Sequence, residues 1–176
     1  MTERDACTSG RWRAAPSLTI WVYDSPLGAT AGEIRFQELA RRGAVVVAEA
    51  AVVTWVRGSH RPHVRVLRRR ASPPEMSVLG ELVRLLARPG VESADPISAL
   101  AERIAGAGID QQLLVEVRRA LAPGTSALLV LASDVDLGVV RPIVEHGRAR
   151  RGVAMLHADL TPTALDVLRQ ALLPHP

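Results

Sequence analysis

The sequence predicts an α+β domain: a ferredoxin-like sandwich with one mixed sheet and helices mainly on one face. Three observations point there. Apolar residues make up 48% of the 176-residue chain while aromatics are 3%, so the core has to be built from Val, Leu, Ile and Ala. The elements read in the order βαββ, three helices, then βαβα. Residues 18–53 and 127–158 each hold a strand, an aspartate turn, a helix, a glycine and a strand. The length fits one domain, with 1–16 as a disordered tail and 17–176 as a single α+β unit.

Each element has a local cause. Residues 18–23 are β-rich and stop at Asp24-Ser25-Pro26. A helix follows over 28–42, with Ile34, Leu39 and Ala40 as its apolar positions and Gly43 as its C′ residue. Residues 44–56 read as a long, largely buried strand. Arg57-Gly58-Ser59 turns the chain into a second hairpin arm, 63–67. Ser72-Pro73-Pro74 breaks it. Residues 76–86 are helical, with a face of Val78, Leu79, Leu82, Val83, Leu85 and Leu86. Asp95-Pro96 is an N-cap with an N1 proline, and Asp110 caps the next helix, which carries Leu113, Leu114, Val117 and Leu121. Residues 126–132 form an apolar strand. Asp134 caps a helix to about 146 that Pro142 kinks or shortens. Residues 152–158 are the last strand, and Thr161-Pro162 starts a C-terminal helix over 163–173.

Composition removes several chemistries. All 22 basic Lys/Arg positions are arginine, so no Schiff-base or P-loop lysine exists. The absence of both lysine and asparagine fits a genome poor in A-rich codons. Cys7 is the one cysteine, which excludes an intrachain disulfide and multi-cysteine metal sites. Residues 1–13 lack the apolar core of a signal peptide. The longest apolar run, 44–56, contains Glu49 and is too short to span a bilayer as a helix. A cytoplasmic protein is expected, with no membrane span, no cofactor and no evident small-molecule ligand.

The motifs form an ordered set. Glu49-Ala50-Ala51-Val52-Val53 precedes the hairpin, Gly108-Ile109-Asp110 precedes a helix, Ala122 to Leu128 (APGTSAL) leads into a strand, and Leu160-Thr161 starts the last helix. In these and in their order, over about 18–173, the chain resembles the bacterial DUF1269 family, small proteins of unknown function often labelled membrane proteins. The resemblance implies architecture more than chemistry. The family's usual glycine-rich apolar hairpin is replaced by residues 76–91, where Glu81, Arg84 and Arg88 intervene. A charge at the bilayer centre costs about 2.5–3.5 kcal/mol, which argues against insertion.

Candidate sites have competing readings. His60 and His63 are spaced like metal ligands, yet no Cys or carboxylate shares their hairpin and arginines surround them. Gly28 and Gly32 open a helix after a strand, as in a phosphate cradle, but the pattern is no P-loop. Ser126, His157 and Asp159 suggest a triad without a nucleophile elbow. Asp24 and Asp134 follow strands, where α/β sites form, and capping also accounts for both.

Arg57, Arg61, Arg65, Arg68, Arg69 and Arg70 form the best candidate. They serve either as weak polyanion contacts or as a solvated edge that blocks aggregation. The strand from Val153 to Leu156 lacks such a guard. With the C-terminal helix over it and Leu165, Leu168 and Leu172 inward, Val153, Met155, Ala164, Val167 and Ala171 are left for a second copy. The expected function is a non-enzymatic interaction or stress-associated module acting through protein contacts, as a homodimer. The alternative is an anion or nucleic-acid binder using the arginine hairpin.

Overall fold

The computed structural model describes residues 16–67, 77–88, 94–133 and 152–173. The expected tail, the arginines at 68–70 and the helix capped by Asp134 lie outside them. Within them the elements are β1 (Ser17–Tyr23), α1 (Gly28–Arg41), β2 (Val46–Thr54), β3 (His63–Leu67), α2 (Val78–Leu86), α3 (Ala94–Ile104), a 3-10 turn (Ala105–Ala107), α4 (Gln111–Ala120), β4 (Ser126–Ser133), β5 (Val153–Asp159) and α5 (Ala164–Leu172). This is an α+β architecture built on one five-stranded sheet in the order β3-β2-β4-β1-β5.

Every neighbouring pair is antiparallel, so the mixed sheet expected from the sequence is corrected. β1 and β2 do run in the same direction, but β4 lies between them. β4 and β5 also run together, with β1 between. Two crossover units thus interlock, each filling the other's gap. Sequence pattern fixes a strand's direction more readily than its neighbour.

The layers follow from side-chain alternation. Leu18, Ile20, Ala51, Val53, Leu129 and Leu131 face α2 to α5. Ala50, Val52, Leu128, Val130 and Ala132 face α1, which answers with Ala29, Phe36 and Leu39. Among the described residues helices therefore cover both faces, four on one and α1 on the other. β4 is buried at all eight positions, as a strand with two covered faces must be. Each of its buried Leu and Val side chains contributes roughly 1.5–3 kcal/mol.

Local chemistry sets the boundaries. Gly43 takes φ +72° and ends α1 as a C′ residue. Ile34, expected in the core, is 66% exposed, and Phe36 faces inward instead. β2 is shorter than expected and carries a bulge at Ala48, where the register shifts between Val47 and Glu49. The bulge flips the alternation, so Val47 packs toward α1 while Glu49 turns to α2. Asp110 Oδ1 accepts from Leu113 N at 2.7 Å, capping α4 as expected. α3 begins at Ala94, ahead of the expected cap. α5 begins at Ala164, because Thr161 Oγ1 donates to the Gly106 carbonyl (2.7 Å) instead of capping a helix.

Among the described residues no helix is long and apolar enough to cross a membrane. α2 spans nine residues, and Val78, Leu79, Leu82, Val83 and Leu86 on it are buried in the protein core.

Candidate functional site

The arginine hairpin does not act as one surface. β3 is an edge strand, and its odd residues face the α1 side. Arg65 sits opposite Val52 and reaches Glu33 of α1, Nη1 to Oε1 at 3.0 Å and Nη2 to Oε2. Gln37 Nε2 donates to the same carboxylate at 3.0 Å. The hydrogen bond to Glu33 raises the Arg65 pKa further, so the guanidinium stays charged and tied to its own chain. Arg57 lies over Gly124, where an added Cβ would come within 2.8 Å of its Nε. Arg61 is exposed and points to an open cleft against α2, beside Arg84 and Arg88. Sequence reasoning missed those last two because they lie on a different element.

β5 is the opposite edge. Its Leu156 and Ala158 pack toward α2–α5, and α4 packs across it. Val153 and Met155 project to the other face, opposite Tyr23 and Trp21. α5 packs instead on α2, α3 and the 3-10 turn. The five residues expected to form one self-association surface are thus divided between two faces of the sheet. Leu165, Leu168 and Leu172 point inward as expected, but Ala164 is fully buried in its own chain. Val167 packs near Gly106, and Ala171 also lies partly buried on the core. Val153 and Met155 remain half-buried on this edge strand.

A hydroxyl–imidazole–carboxylate row does form, with Thr19 in the place expected for Ser126. Thr19 Oγ1 lies 2.9 Å from His157 Nδ1, and His157 Nε2 lies 3.3 Å from Asp159 Oδ1. Thr19 and His157 are cross-strand partners. β1 is paired on both sides, so its backbone N–H groups are committed to ladders and supply no oxyanion donors. Ser126 is buried elsewhere: its Oγ accepts from Ala29 N at 2.9 Å and donates to the Ser25 carbonyl at 2.6 Å.

Gly28 and Gly32 have a packing cause. The Tyr23 side chain lies against both, and an added Cβ would fall 2.4 Å from Tyr23 Cβ at Gly28 and 2.1 Å from its hydroxyl at Gly32. Burial pushes the Tyr23 phenol pKa above its usual 10.0, opposed by Arg35. His60 and His63 are both exposed. Among the described residues no group of three or more His, Cys, Asp or Glu side chains could hold a metal ion.

The shared motifs serve as joints of the fold. Gly108, with φ +87°, closes the 3-10 turn so tightly that a Cβ would meet the Asp159 carbonyl at 2.9 Å. Thr161 N donates to the Ala107 carbonyl at 3.1 Å, so the Gly108-Ile109-Asp110 and Leu160-Thr161 motifs dock on each other. Thr125 Oγ1 pins the Ala122 turn at 2.8 Å.

Residues 77–173, just over half of the chain, match the model of a family described as a protein of unknown function (DUF1269). The match starts at the N-cap of α2 and leaves β1 to β3, including the Glu49 to Val53 motif, outside it. No curated protein and no solved structure matches the chain significantly.

Proposed function

The chain belongs to the DUF1269 family, and from that premise we propose that it is a non-enzymatic interaction module acting through protein contacts, first of all with a second copy of itself. The observation that carries this reading is that β5 is an edge strand of the sheet among the described residues. Val153, Ala154, Met155 and Leu156 run without a charge along it, whereas the other edge, β3, carries Arg65. Exposed strand edges offer unpaired N–H and C=O groups, and proteins usually guard them with charge, cover them or pair them. Two β5 strands paired about a twofold axis would make one continuous sheet and bring Val153 and Met155 of each copy together. The use of the family motifs as structural joints also supports a role without catalysis.

A cytoplasmic, bacterial and stress-associated setting is part of this proposal. So is the finer fold reading. The order β2-β4-β1-β5 supports a ferredoxin-like core, with β3 added at its edge.

The test is mass. Light scattering after size exclusion at micromolar concentration should give twice the 18.9 kDa of one chain. Ala154 is exposed, so Ala154→Lys should leave the fold intact and return the mass to one chain. A wild-type monomer would overturn the reading, as would a dimer indifferent to that change.

A further inference from the structure

We propose that the cleft between the start of β3 and the outer flank of α2 binds a small phosphorylated anion of about nucleotide size. The cleft measures about 530 Å³, within the range of small-molecule sites. Three arginines line it: Arg61 from the hairpin, and Arg84 and Arg88 from α2 and its end. Glu81 is the one carboxylate in the lining, and it pairs with Arg84 within the helix. Arg61 and Arg88 have no carboxylate partner among the described residues.

Arg84 lies in the last turn of α2 and Arg88 follows four positions on, past the helix end, so two like charges line one cleft. Arg61 adds a third positive group from across the cleft. The core face of α2 is its apolar face, so these arginines lie off it, on the cleft side. An anion between the three relieves the repulsion. Guanidinium forks match phosphate oxygens in geometry as well as charge. Val64 and Leu85 form an apolar wall for the organic part of the ligand. The site is distinct from the rest of the hairpin, because Arg65 is held by Glu33 on the opposite face of the sheet.

Calorimetric titration of the full chain with magnesium-free ATP, and separately with adenosine, tests the assignment. ATP should bind at one site per chain and adenosine should not. Arg61→Gln and Arg88→Gln should each weaken ATP binding about tenfold, the loss of one charge-assisted contact. Arg119→Gln, an exposed arginine on α4, should change nothing. The proposal is overturned by absence of binding at millimolar ATP or by equal losses in all three variants. It is also overturned if binding depends on Arg68, Arg69 and Arg70 while Arg61→Gln and Arg88→Gln leave it intact.

Discussion

Arg65 of β3 and Glu33 of α1 are joined by a two-pronged ion pair that ties an edge strand to the helix covering the sheet. The Glu33 side chain is 10% exposed and that of Arg65 49%. Removing the arginine therefore strands a nearly buried carboxylate, with Gln37 as its remaining partner among the described residues. Arg65→Met should cost about 1–3 kcal/mol in urea unfolding. Adding Glu33→Met should recover most of that loss. A neutral Arg65→Met would show that the pair contributes nothing.

Glu49 makes a comparable link on the other face. Its carboxylate accepts from Ser77 Oγ (2.7 Å), Val78 N (3.2 Å) and Leu79 N (2.8 Å) at the start of α2. Ser77 Oγ in turn accepts from Gly80 N. An acidic group there satisfies orphan donors and complements the positive end of the helix dipole. Glu49→Gln should cost about 1–2 kcal/mol, with the loss concentrated in the exchange protection of α2. Uniform loss across the sheet would argue for a different role.

How much of this was legible beforehand depended on the range of the interaction. Asp110 as a cap and Gly43 as a helix stop are local signals, and both were readable. So was the edge position of β3. The role of Glu49 was hidden, since a bulge at Ala48 decides which face it joins. Ile34 fitted a helical pattern that Phe36, two residues on, fills in the fold. The Thr19–His157 contact spans 138 positions, and only strand order brings it together. The interlocking of β4 between β1 and β2 was likewise not written in any one segment.

Gly32 and Tyr23 supply a test of packing. Glycine to alanine inside a helix normally stabilises by about 1 kcal/mol. Here Gly32→Ala drives a methyl into the Tyr23 hydroxyl and should destabilise by about 1–3 kcal/mol instead. Tyr23→Phe should relieve part of that loss. A stabilised Gly32→Ala would show that Tyr23 is free to move away.

Tyr23 is the one tyrosine in the chain, so tyrosinate absorbance reports it alone. Burial, the larger cause, raises its pKa above 10.0 in the folded state. The folded chain then holds the phenolic proton more tightly than the unfolded one. The corresponding stability is fully present below pH 10 and is lost as pH rises through the higher folded value. The folded-state titration should lie above that of the urea-unfolded chain. Coincident curves would contradict this.

Hydrogen exchange along β5 tests the self-association reading most directly. Amides from Val153 to Asp159 that do not bond to β1 have no strand partner among the described residues. On raising the protein from nanomolar to micromolar concentration, their exchange should slow in parallel with the doubling of mass. Ala154→Lys should abolish the slowing. Exchange in β5 that ignores concentration, or protection that appears at β3 instead, would contradict the account.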